Sequence, residues 1–249
     1  MQQSYLLRAN QNDTPYCRIN TNTGCAWLMA LNHIHLRKLL KILFLDNRSR
    51  IAELRKDIRE ERVKSAGHDA SGADFYVPFW ADAKSHVFGL VDLQQATDER
   101  IALNRSRRNI YPLLRDGFLV WWDRRRRWTN TPFTSGQRVK TQFQFPGLDA
   151  IVKIDNILSV QDGRGVEHFV YPYFSPHPPL SDEAARLGLW LLIQALPTVP
   201  PNEIRILDVI RGQTFSLDRH PLRGQEEQIF RNLYHSALLE RQRLEEEYD

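Results

Sequence analysis

The sequence of 249 residues is poor in cysteine and has no long apolar run. Its two cysteines, Cys17 and Cys25, are too few for a disulfide framework or a cysteine-based zinc site. The most apolar early segment, residues 36–45, is ten residues long and contains three basic side chains, whereas a membrane-spanning helix needs about 20 apolar residues. The first residues also lack the features of a secretory signal. We therefore expect a cytoplasmic protein without a membrane partner.

Recognisable catalytic motifs are missing as well. No nucleophile elbow and no Ser-x-x-Lys pair is present, and His168, His177 and Asp182 do not have a known metal-ligand spacing. Hydrophobic residues make up 42% of the chain and charged residues 26%, which excludes disorder for most of its length. The net charge of +4 is mildly basic and favours a polyanionic partner.

Residues 1–135 are predicted to form a mostly helical, basic N-terminal part. Residues 1–25 are polar and predicted to be irregular, and residues 65–74 are predicted to form a loop. Apolar residues at helical spacing and candidate capping residues predict helices in the remainder. These predicted helices cover residues 27–64, residues 97–108 with Thr97 as the N-cap, and a segment from Tyr111 onward.

Residues 136–249 are predicted to form a mixed α/β part, because apolar and polar residues alternate with a period of two from residue 139. The predicted elements are strands at 139–145, 150–160 and 167–174, a helix at 182–196, strands at 203–210 and 213–217, and a helix at 225–248. Residues 162–165 and 211–212 predict hairpin connections, and Pro172 predicts an edge strand or a bulge. Ser181 is the predicted N-cap of the helix at 182–196, whose apolar sequence predicts burial. The fold class is therefore predicted to be α+β, with a helical part followed by a mixed sheet flanked by helices.

The predicted order of helix, three strands, helix, two strands and helix resembles the core of the PD-(D/E)XK nuclease superfamily. In that family an Asp on the second strand and an acidic-x-Lys pair on the third surround Mg²⁺, which activates water. The resemblance implies Asp155 as the strand-two carboxylate, with Asp149 on the same strand face as the other candidate. Tyr171 and Tyr173 occupy the places of the acidic residue and the Lys. Phenols stay protonated near pH 7 and bind Mg²⁺ poorly, which favours a non-catalytic protein without a cofactor.

The segment 121–128 contains four consecutive arginines between tryptophans. Guanidinium groups pair well with phosphates, and Trp128 is suited to stack on an unpaired base. This interpretation predicts contacts with a DNA or RNA backbone. The alternative is a solvated helix end with its tryptophans packed inward. The predicted nucleic-acid-binding residues are Arg105, Arg107, Arg108, Arg124, Arg125, Arg126, Arg127 and Trp128.

Three functional hypotheses follow. The leading one is a non-catalytic, nuclease-like protein that binds nucleic acid or serves as a subunit of a nucleic-acid-processing or defence assembly. The second is a Mg²⁺-dependent nuclease with rearranged ligands drawn from Asp149, Asp155 and Glu167. The third is a protein-interaction scaffold whose basic face meets an acidic protein partner.

Overall fold

The computed structural model describes residues 30–65 and 75–247, and their fold is α+β, as predicted. The helices are α1 (Leu36–Phe44), α2 (Asn47–Ser65), α3 (Val77–Val87), α4 (Leu93–Leu103), α5 (Tyr111–Val120), α6 (Asp182–Ala195) and α7 (Glu226–Glu246). The strands are β1 (His33–His35), β2 (Thr134–Ser135), β3 (Thr141–Gln144), β4 (Ile151–Ile154), β5 (Leu158–Gln161), β6 (Glu167–Tyr173), β7 (Ile204–Asp208) and β8 (Gln213–Ser216). The predictions for residues 1–25 and for most of the loop 65–74 lie outside the described residues.

The described strands form two sheets. One has the order β1-β4-β3 and the other has the order β2-β5-β6-β7-β8. β6 and β7 are parallel, and the connection between them contains α6. Antiparallel pairing joins β5 to β6 and β7 to β8, so the predicted hairpin connections at 162–165 and 211–212 are both present.

Helices cover both faces of the larger sheet. Phe169, Tyr171 and Tyr173 of β6 point into a core that α1, α2, α6 and α7 enclose, whereas Val170 points into a second core beneath α3, α4 and α5. This alternation is the period-two pattern of a strand. The predicted division at residue 135 separates a helical from a strand-rich stretch of sequence, but each core takes residues from both stretches.

Helix α6 is buried along most of its length, as its apolar sequence predicts. The Ser181 hydroxyl accepts a hydrogen bond from the Ala184 backbone N–H, which confirms the predicted N-cap. The predicted helix at 225–248 is also present, as α7. Within the described residues, no helix has the length and apolarity that crossing a bilayer requires.

Two predicted elements are divided in the structure. The helical stretch predicted at 27–64 contains the short strand β1, which pairs in parallel with Ile151–Lys153, and a break at Leu45 and Asp46. The single strand predicted at 150–160 is divided between the two sheets. Asn156 has a φ of 61°, and this left-handed residue turns the chain from β4 into β5.

Two local predictions were wrong. Asp92, not Thr97, caps α4 by accepting from the Gln95 N–H, and Thr97 is buried within the helix. Strand β6 is central rather than at an edge. Pro172 is accommodated there because β5 pairs only with Glu167–Val170. At the proline, β7 is therefore the one neighbouring strand in the part of the chain that the structure describes.

Candidate nucleic-acid interface

A π-helical turn shapes the arginine-rich segment. The turn Trp121–Arg125 follows α5 directly, and the Arg126 N–H donates to the Trp121 carbonyl at 2.8 Å. A π-turn includes one more residue than an α-turn and so changes the direction of the side chains that follow it. Trp121 and Trp122 are buried in the second core, and the four arginines leave the turn toward different surroundings.

Arg126 lies inside a cage of aromatic rings. Its guanidinium carbon is 3.8 Å from the centroid of Trp122, 4.2 Å from that of Phe133 and 4.9 Å from that of Trp128. Its Nε donates to the Trp122 carbonyl at 3.2 Å. Burial lowers the pKa of this guanidinium, although arginine stays charged at neutral pH. Arg126 therefore stabilises the segment through cation–π contacts.

Trp128 packs inward and is only 7% exposed. Its indole stacks on the His168 imidazole with ring centroids 4.3 Å apart, and the Nδ1 of His168 lies 2.6 Å from Glu203. The prediction that Trp128 stacks on an unpaired base was therefore wrong, because protein already covers the ring. The alternative of inward-packed tryptophans describes this structure.

The other three arginines of the segment are exposed at the surface. Arg125 donates to the backbone carbonyl of Arg211 at 2.9 Å, and Arg127 forms an ion pair with Asp218. Arg124 has no ion pair within the described residues. Because these three side chains are outside the core, they can contact a ligand without any change in core packing.

Two further arginines join this surface from distant parts of the sequence. Arg205 on β7 and Arg219 after β8 line one small cleft of about 20 Å³ with Arg125, Arg126 and Arg127. We call this set of five residues the arginine cleft. Sequence reasoning missed Arg205 and Arg219 because each stands alone in its segment. The one available signal was a basic residue within the mostly apolar strand Ile204–Asp208.

Two carboxylates partly neutralise the arginine cleft. Asp218 pairs with Arg127, and Glu203 accepts from Arg205 at 3.3 Å. Five arginines against these two acids leave an excess of positive charge. Thr214 also lines the cleft, and its buried hydroxyl has no hydrogen-bond partner among the described residues.

Gly117 allows the two sides of the arginine cleft to approach each other. A Cβ atom at this position of α5 would lie 2.2 Å from the Val209 carbonyl oxygen and 2.3 Å from that of Ile210. Only glycine permits such close backbone contact. The β7–β8 turn therefore packs directly on α5, which holds the π-turn beside β8.

The predicted residues Arg105, Arg107 and Arg108 lie elsewhere, on a 3₁₀ turn that precedes α5. The π-turn follows the other end of this ten-residue helix, about 15 Å away at 1.5 Å per residue. Arg107 lies 5.3 Å from the Tyr111 ring centroid and donates to the Arg100 carbonyl. The structure therefore does not bring this group into the arginine cleft.

Asp155 lies just after β4, beside the side chains of Arg37 and His35. Its Oδ1 accepts from Arg37 at 3.0 Å and lies 3.2 Å from the Nδ1 of His35. Burial by itself raises the pKa of Asp155, but the contacts with His35 and Arg37 outweigh burial and hold it well below the ordinary value. We call Asp155, His35, Arg37 and Tyr171 the Asp155 centre.

The two tyrosines of β6 are already engaged. The Tyr171 hydroxyl accepts from the Arg37 backbone N–H at 3.0 Å, and burial raises the pKa of Tyr171 to about 12. The Tyr173 hydroxyl donates to the Pro178 carbonyl at 2.8 Å, and burial raises its pKa as well. Both phenols stay protonated at neutral pH, so neither replaces a carboxylate or a lysine.

The three candidate carboxylates do not form one site. Asp149 and Asp155 were predicted to share a face of strand two, but both lie outside β4, at its opposite ends. Glu167 accepts from the Gln137 N–H at 2.9 Å and lies four residues before Tyr171, about 13 Å along a strand. Within the described residues, no group of three His, Cys, Asp or Glu side chains is suited to hold a metal ion. Asp149, Asp155 and Glu167 therefore do not fit a Mg²⁺ site.

The arginine cleft and the Asp155 centre differ in what they offer chemically. The cleft presents guanidinium donors to an anion, whereas the Asp155 carboxylate already bonds to Arg37 within the protein.

Comparison with known proteins finds no matching family model, no matching curated protein and no matching solved structure.

Proposed function

We propose that this protein binds the backbone of DNA or RNA through the arginine cleft, in the cytoplasm and without cleaving it. Such a protein acts alone or as a subunit of a nucleic-acid-processing or defence assembly. One observation carries the proposal. Arginines from the π-turn, from β7 and from the segment after β8 converge on a single cleft.

The chemistry of the cleft supports phosphate as the ligand. A guanidinium offers several N–H donors in a plane, which matches the oxygens of a phosphate group. Arg125, Arg127 and Arg219 are exposed and lie beside the β7–β8 hairpin, so they can contact consecutive phosphates of one strand. The buried indoles leave no exposed stacking surface in segment 121–128, which favours backbone contacts over base contacts.

The nuclease-like part of the proposal draws support from the element order. The resemblance has three strands before the helix, whereas this chain has four, β3 to β6, which are divided between two sheets. They are followed by α6, the β7–β8 hairpin and α7 in the order that the resemblance implies, and β6 is parallel to β7. Asp155 lies close to Tyr171 on β6, where the resemblance implies a catalytic centre. There Arg37 and His35 contact the carboxylate, which supports a nuclease-like protein that lacks hydrolytic activity.

The test is a salt titration of binding to fluorescent single-stranded DNA, duplex DNA and RNA. The affinity should fall steeply with salt, because each phosphate contact releases counterions. The double variant Arg125→Gln/Arg219→Gln should bind more weakly and show a slope in log K against log salt that is smaller by about 1–2.

A matched control carries the same loss of charge on another surface. Arg48 on α2 and Lys153 on β4 are both exposed and lie outside the cleft. The double variant Arg48→Gln/Lys153→Gln should therefore keep the wild-type slope. Equal effects of the two double variants would mean that net charge, and not the arginine cleft, determines binding.

A further inference from the structure

A second basic site lies away from the arginine cleft. Helix α3, the residues that follow β2 and the start of β5 enclose a solvent-open cavity of about 250 Å³. Lys84 and Ser85 line it from α3, Arg138 and Ser135 from the β2 side, and Ser159 from β5. The nucleic-acid proposal above assigns no role to this cavity.

Neither Lys84 nor Arg138 forms an ion pair within the part of the chain that the structure describes. The nearby carboxylates already have partners. Asp155 pairs with Arg37, and Glu167 accepts from the N–H of Gln137, which itself lines the cavity. Two unpaired like charges beside one cavity attract an anion into it.

The serine hydroxyls of the cavity are not free donors. The Ser85 hydroxyl donates to the Ala81 carbonyl, and the Ser135 hydroxyl donates to the Gly136 carbonyl. The Ser159 hydroxyl is buried without a hydrogen-bond partner among the described residues, and Gly136 packs over it, since a Cβ atom at position 136 would lie 2.3 Å from this hydroxyl. The two cations are therefore the groups that an anion in the cavity meets.

The positive charge of Lys84 is disfavoured by its surroundings. Burial and the charge of Arg138 lower the pKa of Lys84, and Asp155 only partly opposes them. A bound anion reverses the effect of Arg138, because it places negative charge between the two cations.

We infer that the Lys84–Arg138 cavity binds a phosphate group, with the two cations as donors. A cavity of about 250 Å³ is larger than one phosphate needs, so the group can belong to a larger molecule. Free phosphate and the terminal phosphate of a nucleic acid share this chemistry. The inference does not rest on the proposed function, because inorganic phosphate can bind whether or not the arginine cleft binds a strand.

The experiment measures binding of inorganic phosphate to the full chain by calorimetry at constant ionic strength. Lys84→Met and Arg138→Gln should each weaken binding about tenfold, since a charge-assisted hydrogen bond is lost. Lys153→Gln, which removes an exposed charge outside the cavity, should leave the affinity unchanged. Arg138 is exposed, so its variant tests the inference even if Lys84→Met folds poorly. Absence of phosphate binding, or equal binding by all variants, would overturn the inference.

A second arm identifies the source of the phosphate. Two single-stranded oligonucleotides of the same sequence carry either a 5′-phosphate or a 5′-hydroxyl. A preference for the phosphorylated end that disappears in Arg138→Gln assigns the cavity to nucleic-acid ends. Equal binding of both oligonucleotides, together with Arg138-dependent binding of inorganic phosphate, assigns it to the free anion.

Discussion

The guanidinium of Arg126 lies 3.8 Å from the centre of the Trp122 ring. In sequence Arg126 is one of four equivalent arginines, but in the structure it is the one enclosed by aromatic rings. The four arginines therefore have different roles: Arg126 stabilises the fold, whereas Arg124, Arg125 and Arg127 remain at the surface.

Replacing Arg126 should lower stability, whereas replacing Arg124 should not. Arg126→Gln removes cation–π contacts with three rings and should reduce the free energy of unfolding by about 1–3 kcal/mol. Arg124→Gln changes an exposed side chain and should stay within about 0.5 kcal/mol of wild type. Urea unfolding of both variants measures the difference. Equal free energies of unfolding for the two variants would mean that the aromatic rings around Arg126 contribute nothing to stability.

Trp128 should act through packing and not through base stacking. Trp128→Ala removes a buried indole and should reduce the free energy of unfolding by about 3–5 kcal/mol. Trp128→Phe keeps a ring over His168 and should cost less, while its affinity for single-stranded DNA stays close to that of wild type. A Trp128→Phe protein of unchanged stability that loses affinity for single-stranded DNA would instead show that the indole stacks on a base.

Gly117→Ala should strain the contact between α5 and the β7–β8 turn. The added methyl group meets two backbone carbonyl oxygens that cannot move independently, so stability should fall by about 1–3 kcal/mol despite the better helix propensity of Ala. Gln94→Ala, at an exposed position of α4, is the control and should be nearly neutral. Thermal unfolding compares the two, and a stabilising effect of Gly117→Ala would contradict the close approach.

Acid should destabilise the protein partly through Asp162. Its carboxylate accepts hydrogen bonds from Asn130 and from the Val166 and Arg164 N–H groups, which lower its pKa from 3.8 to about 2. The folded state therefore binds this proton less readily than the unfolded state. The resulting stabilisation is fully present above about pH 4 and is lost as the pH falls toward 2. The difference in the free energy of unfolding between wild type and Asp162→Asn should shrink over that pH interval. A constant difference would contradict the lowered pKa of Asp162.

Periodicity explains which parts of the fold could be predicted. The alternation at 139–145, the hairpin signal at 162–165 and the capped apolar helix at 182–196 depend on neighbouring residues, and the structure confirms them. The three-residue strand β1 is too short for a periodic signal. The left-handed residue Asn156 divides the strand predicted at 150–160. One residue gives no periodic signal, and its conformation is favoured by the tertiary packing that places β4 and β5 in separate sheets.

The candidate site was less predictable because its residues come together through tertiary packing and not through a local sequence pattern. The sequence identified Arg124–Arg127 as the basic segment, but the π-turn determines which of them face solvent. Arg205 and Arg219 join the cleft only through the pairing of β7 with β8 and the packing of α5 on their turn. Lys84 and Arg138 are 54 positions apart and meet through tertiary packing alone.

The most direct test of the account is a binding titration of wild-type protein with a fluorescent single-stranded oligonucleotide at low salt in the presence of Mg²⁺ or Mn²⁺. The oligonucleotide is recovered afterwards and its length is checked. The account predicts saturable binding that weakens in Arg125→Gln/Arg219→Gln, together with an oligonucleotide that stays intact. Absence of binding, or cleavage that Asp155→Ala abolishes, would contradict it.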